Sequence, residues 1–235
     1  MISTAQNNMK TAICISGAPR FVKEGHALFS KFIKGFEDMD VFVHVWEKIE
    51  GGMHSAITRT DSVVEIRDLY NIASMVEEPQ RYDIGPGGPV STNEFVHWSM
   101  FYSIWKANDL KRQYEQQNNF RYDCVIRTRF DCALLEDVDV SQHSLTDVKV
   151  PFIHRNGVIP EWFNFSSSNN MDFYSDVWKK MIDYKAYGKV MMTSGEELLT
   201  HHLKSNNVDF STINTRVSLI RNEGAGWTSV NNLPI

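Results

Sequence analysis

Three features of the chain predict an α/β fold, with a mostly parallel central sheet flanked by helices. Short apolar runs at Thr11-Ala-Ile-Cys-Ile-Ser16, Asp40-Val-Phe-Val-His-Val-Trp46 and Cys124-Val-Ile126 are separated by stretches whose apolar residues recur at helical spacing. These runs are apolar at successive positions, as strands covered on both faces by helices must be, and do not alternate as half-solvated strands do. With 235 residues, 42% of them hydrophobic, the chain is long enough to fill one substantial core, and residues 1–235 read as a single domain.

The first run is closed by Gly17-Ala18-Pro19-Arg20, where glycine permits a turn and proline suits a helix start. Phe21 to Phe36 then sets Leu28, Phe29, Phe32 and Ile33 at helical spacing, before the Asp40–Trp46 strand. Between Gly51 and Val90 the pattern loosens. Val63-Val-Glu-Ile66 reads as a strand there and Gly85-Pro-Gly-Gly-Pro89 as a break, and the whole region from Gly51 to Val90 reads as mobile. Phe95 to Gln117 is the longest helix, since Met100, Ile104, Ala107, Leu110 and Tyr114 recur at steps of four and three. It feeds the Tyr122–Asp131 segment. A strand at Val148–Ile153, the aromatic Glu161-Trp-Phe-Asn-Phe165 stretch, a helix from Met171 to Tyr184 and another from Glu196 to Ser205 complete the chain.

A formal net charge of −5 argues against a protein that coats nucleic acid through a broad basic field. The opening MISTAQNNMK lacks the apolar centre of a secretory signal, and nowhere do about 18 apolar residues run together. A soluble, cytoplasmic protein without a membrane span is expected. Cys14, Cys124 and Cys132 have no CxxC spacing and read as buried thiols.

The chemistry concentrates at Arg127-Thr-Arg-Phe-Asp131, where an apolar strand emerges into two arginines and a carboxylate. In an extended segment Arg127, Arg129 and Asp131 share a face. Guanidinium forks match phosphate oxygens, and a carboxylate can hold the divalent ion that often accompanies them. The other reading is a strand end with a surface salt bridge. Ser16, Gly17 and Arg20 follow the first strand and are placed to face a nucleotide, although the turn is neither a GxGxxG nor a P-loop. His44 ends the second strand, where an imidazole either meets a base or ribose or packs in the core. Asp38-Met-Asp40 and Asp137-Val-Asp139 imitate a metal-holding Asp-x-Asp but follow no buried strand, so both read as solvated. Glu196 and Glu197 complete capping boxes with Thr193 and Ser194, and a carboxylate at such a helix start also suits a general base.

In order along the chain, ICISGAPRF, DVFVHVW, KANDLKRQYE, YDCVIRTRFD, NNMDFYSDVWKKM and SGEELLTHHL give a chain that resembles small bacterial and phage-borne glycosyltransferase-like proteins of the GT-A type. The resemblance implies transfer of a sugar from a nucleotide-diphosphate donor, such as a UDP-sugar, to an acceptor hydroxyl in the bacterial cytoplasm. It implies a nucleotide-sugar-binding half over about residues 1–135, with Ser16, Gly17, Arg20, His44, Arg127 and Arg129 on the donor. An acceptor-side half covers about 136–235, with Glu197 or Glu196 as base, Asp131 next in line, and Trp162 on the acceptor. Arg129 stands where the family motif has its first Asp, so an expected Mn²⁺ or Mg²⁺ rests on Asp131 alone, and arginines can take over the cation's role. A surface glycan is the expected acceptor, with hydroxymethylated phage DNA second. A non-catalytic nucleotide or glycan binder and a sugar nucleotidyltransferase are the alternative functions.

Overall fold

The computed structural model describes residues 9–47, 62–79, 91–188, 192, 194–222, 228–229 and 233–234. The Gly85–Pro89 break and Thr193 lie outside them. In chain order the first half forms β1 (Thr11–Gly17), α1 (Val22–Phe32), β2 (Asp40–Trp46), α2 (Val63–Leu69), β3 (Ile72–Glu78), α3 (Thr92–Asn118), β4 (Cys124–Thr128) and β5 (Cys132–Leu134). The second half forms β6 (Val148–Val150), β7 (Asn164–Ser166), α4 (Ser168–Ser175), α5 (Val177–Ala186), α6 (Gly195–Ser205), β8 (Phe210–Thr212), β9 (Val217–Arg221) and β10 (Thr228–Ser229).

Seven strands make the central sheet, in the order β3-β2-β1-β4-β7-β6-β8. β1 is parallel to β2 and β4, β2 to β3, and β6 to β8, while β7 runs antiparallel to both β4 and β6. The expected mostly parallel sheet is therefore present. From β1 the chain winds outward through β2 to β3, then returns through α3 to set β4 on the other side of β1. The carboxyl ends of β1 and β4 thus flank the point where winding reverses, and open α/β sheets leave a ligand crevice at such a point.

Each central strand is apolar on both sides because each face has its own core. Ile13, Ile15, Val43 and Ile126 pack with Phe29 of α1 and Ile66 of α2. Ala12, Cys14, Phe42 and Val125 point the other way, toward Trp98, Phe101 and Ile104 of α3, Tyr174 of α4 and Leu199 of α6. All three cysteines are buried and free, and burial pushes each thiol up to about 12. The fully buried Lys111 of α3 is satisfied by Glu115, Ser168 and Asp172, which pins α3 to α4.

Several expected elements differ. Val63–Ile66 is helical: the Ser62 hydroxyl accepts from the Val64 amide, Ile66 is buried, and Val64 is 64% exposed, which is a helical distribution. The first helix ends at Phe32, and Gly35 follows in the left-handed region at φ 76°. The expected Met171–Tyr184 helix is two, divided at Asp176. β6 stops at Val150, before Pro151. A second, three-stranded sheet, β10-β9-β5, lies past the end of β4. Among the described residues no helix is long and apolar enough to cross a membrane.

Candidate functional site

The turn leaving β1 is held in an uncommon conformation. Gly17 has φ 117°, a region that favours glycine, and the space where its side chain would stand is open. Phe21 is fully buried yet sits at φ 51°, uncommon for a bulky residue and most often found where surrounding structure fixes a functional turn. Arg20 lies between them. Directly after it, α1 presses against the exit of β4, and a Cβ on Gly25 would stand 1.8 Å from the Phe130 carbonyl oxygen. The helix that follows the β1 turn is therefore seated directly on the backbone of the segment leaving β4.

Around that contact the charged side chains converge. Arg129 forks onto Asp131, its Nε donating to Oδ1 at 2.8 Å and a terminal nitrogen to Oδ2 at 3.0 Å. Arg221, at the end of β9, donates to the same Oδ2 at 2.8 Å, and the Ile220 amide donates to the Asp131 carbonyl. Arg127 is 2% exposed and donates to the Trp162 carbonyl at 3.2 Å. Glu161 brings its Oε1 to 3.6 Å from Arg129. Arg20 is near enough for Asp131 to favour its charged form and for Arg129 and Arg221 to oppose it.

Burial pushes the Asp131 carboxyl up, but Arg129 and Arg221 outweigh it and hold the group below the usual carboxylate range. Burial lowers Arg127, Arg20 and Arg221, whereas Asp131 and Glu161 keep Arg129 raised despite its burial. Glu161 goes up, through burial first and the nearby Glu196 second, with Arg129 and Arg127 opposing. Four guanidiniums thus lie within electrostatic reach of Asp131 and Glu161, and counting Glu196 as well still leaves positive charge in excess. Unsatisfied capacity accompanies that excess. Among the described residues Nε of Arg20, Nε of Arg127, Oε2 of Glu161, Oγ of Ser16 and Oδ1 of Asn164 are buried without a hydrogen-bond partner. Buried polar atoms in native folds are nearly always bonded, so such a group of orphans marks a place where another molecule or water belongs.

Several expected site residues are placed together: Arg20, Arg127, Arg129 and Asp131 form one cluster, with Ser16 and Gly17 on the strand and turn beside it. His44 is not part of it. The ring is 0% exposed on the α3 face, Nδ1 meeting Ser103 at 2.7 Å and Nε2 meeting Glu78 at 2.9 Å. Burial lowers its pKa, so a neutral imidazole with both nitrogens in use has no capacity left for a nucleotide. Trp162 is likewise corrected as an acceptor platform. It is 9% exposed and packs edge-on against Phe152 in the core, and it is its carbonyl that touches the cluster.

For a metal, the residues do not fit: both Asp131 oxygens already accept from guanidiniums, and no group of three or more potential ligands occurs among the described residues. Asp40 accepts from Tyr122 and Asp139 pairs with Lys34, so neither Asp-x-Asp imitation joins the site. At α6 the Ser194 hydroxyl accepts from the Glu197 amide at 3.2 Å, half of the expected capping box, while Glu196 is the one whose charge bears on Glu161. Sequence reasoning missed two members. Arg221 follows Val217-Ser-Leu-Ile, the same apolar run into arginine that singled out Arg127, and Glu161 heads the aromatic stretch that drew notice for its rings.

Fold and site together define an α/β protein with an arginine-rich, partly unsatisfied cluster at the switch point of its sheet. The chain belongs to a family described as a domain of unknown function, DUF7796, whose model matches residues 6–167. That span carries β1 through β7 with Arg20, Arg127, Arg129, Asp131 and Glu161, and leaves Glu196 and Arg221 to the part beyond it. No curated protein matches the chain.

Proposed function

We propose that the chain is a glycosyltransferase of GT-A type that moves a sugar from a nucleoside diphosphate donor to an acceptor hydroxyl. The observation that carries this reading is the excess of buried guanidinium charge at the switch point, with donor atoms of Arg20 and Arg127 left over. A diphosphate supplies the missing negative charge and several acceptor oxygens at once. The Gly17 turn, open above its backbone, gives the nucleotide a floor beside β1. As the acceptor oxygen bonds to the anomeric carbon, the bond from that carbon to the diphosphate breaks and its electron pair leaves with the phosphate oxygen. Fixed guanidiniums stabilise that growing charge without reorganising. Because Asp131 is engaged by arginines, no step is assigned to a divalent cation.

A glycan hydroxyl is the acceptor class that suits the remaining space. A cavity of about 590 Å³ opens among Leu135, Pro151, Phe152, Asn214, Arg216 and Val217, at the carboxyl end of β6 and thus on the same sheet edge as β4. Phe152 and Pro151 offer apolar faces to a sugar ring, with Asn214 and Arg216 for its hydroxyls.

Arg20→Ala tests the reading, because the residue has an orphaned Nε and makes no ion pair within 4 Å among the described residues. Loss of a charge-assisted contact costs about 1.5–3 kcal/mol, roughly 10- to 150-fold in affinity. Calorimetry with UDP, GDP and their sugars is expected to show that loss with an unchanged melting temperature. Binding by neither wild type nor variant sinks the proposal.

A further inference from the structure

We infer that Glu161 is the proton acceptor for the attacking hydroxyl and that Glu196 is a positioning residue beside it; this rests on the transferase reading above. Glu161 is 5% exposed, and its Oε2 has no hydrogen-bond partner among the described residues. Its Oε1 stands 3.6 Å from Arg129, too far for a hydrogen bond, while Arg129 commits two nitrogens to Asp131. A carboxylate kept only for structure would be drawn into a fork, since an unpaired buried one is costly. An acceptor oxygen left bare beside the diphosphate-binding arginines is instead satisfied by a ligand O–H. Its place in the chain supports this, because the next residue, Trp162, holds Arg127 through its carbonyl. The base and the group that receives the leaving charge are thereby fixed to one another.

The charged and titratable groups facing Glu161 come from three elements: Arg127 and Arg129 at the exit of β4, Tyr174 of α4 and Glu196 of α6. Burial and Glu196 raise its pKa, the two arginines and a hydrogen bond from its own backbone amide lower it, and the rise prevails. That moves a carboxylate toward the range in which a general base works best. In the reaction the hydroxyl proton passes to Oε2 of Glu161 as the oxygen forms its bond to the anomeric carbon. The diphosphate departs with the electrons of the broken carbon–oxygen bond. The proton stays on Glu161 until it is lost to solvent after the products leave, while Glu196, half-buried at the start of α6, acts only through its charge.

Glu161→Gln decides the matter, with water as acceptor and release of UDP or GDP from UDP-glucose, UDP-galactose, UDP-N-acetylglucosamine and GDP-mannose as the readout. The variant is expected to bind UDP or GDP as wild type does and to turn over roughly a hundredfold or more slowly, the range for a lost general base. Its melting temperature separates base from brace. A carboxyl raised in the folded state adds stability below its unfolded pKa, and that contribution is lost as pH rises through the folded pKa. At pH 7.5 the glutamine variant is therefore expected to melt at or above wild type, with the gap closing on acidification. Glu196→Gln is expected to move the acid limb of kcat/KM to lower pH, because removing the neighbouring anion lowers Glu161; a packing role would leave that limb in place. Wild-type turnover by Glu161→Gln, or a lowered melting temperature with lost nucleotide binding, overturns the inference alone. If wild type releases nucleotide from no donor, the transferase reading falls and this inference with it.

Discussion

Asp131 accepts from Arg129 at both oxygens and from Arg221 at one, so a single buried carboxylate joins the exit of β4 to the end of β9. Removing its charge while keeping its shape leaves the surrounding guanidiniums without their counter-ion. Asp131→Asn is therefore expected to cost about 3–5 kcal/mol in a urea titration. Added pyrophosphate should restore more of the variant's stability than of wild type's, because it supplies the charge that was removed. The acid limb of stability has a definite sign. A carboxyl held below its ordinary range contributes stability above the unfolded carboxylate pKa, and that contribution disappears as pH falls through the folded value. Wild type should lose stability through this acid range and the asparagine variant should not share that component. At this scale Arg127, Arg129 and Asp131 were legible because alternation along a strand fixes which side chains share a face. His44 obeys the same alternation but meets Ser103 and Glu78, since alternation chooses a face and says nothing of what covers it.

Between elements, the tightest constraint is α1 against the Phe130 carbonyl. Gly25 lies in the middle of a helix, where glycine is unfavourable, and is explained by the 1.8 Å that a Cβ would leave. Gly25→Ala must push α1 away, at about 1–3 kcal/mol for overpacking or more, because backbone and not a flexible side chain stands in the way. The shift carries Arg20, five residues earlier, away from the Arg129–Asp131 pair. Weaker UDP or GDP binding in proportion to the lost stability is expected, and unchanged melting would show that α1 is not seated as described. The long α3 was legible as Phe95 to Gln117 from the repeat between Met100 and Tyr114, and it runs a few residues further, from Thr92 to Asn118. α2 was not, because Val-Val-Glu-Ile favours a strand in isolation, and its helix depends on the Ser62 cap and the burial of Ile66 and Tyr70. Strands of three residues, such as β5, β7 and β8, are too short to carry a period at all.

For the molecule as a whole, the reversal of winding between β1 and β4 places the site, and the two cores on either side of the sheet hold both loops in register. The parallel half of this plan was written in the doubly apolar runs. The antiparallel β7 and the second sheet were not, yet they deliver Glu161 and Arg221 to the cluster. Charge neutralisation at this site comes from side chains the fold itself supplies, and that sets the response of the whole chain to chelation. A ligand that binds only the folded state stabilises it by RT ln(1 + [L]/Kd), about 2.7 kcal/mol at a hundredfold excess over Kd. For a chain of this size that corresponds to a rise of roughly 5–10 °C in melting temperature. With the preferred nucleoside diphosphate, the rise is expected to be the same in EDTA as in Mn²⁺ or Mg²⁺, because Asp131 accepts from Arg129 and Arg221 and a cation would have to displace both. Arg129→Ala should then introduce a dependence on the cation, by freeing Oδ1 of Asp131. A rise that vanishes in EDTA for wild type would mean that the arginine pairing of Asp131 gives way to a metal when the nucleotide binds.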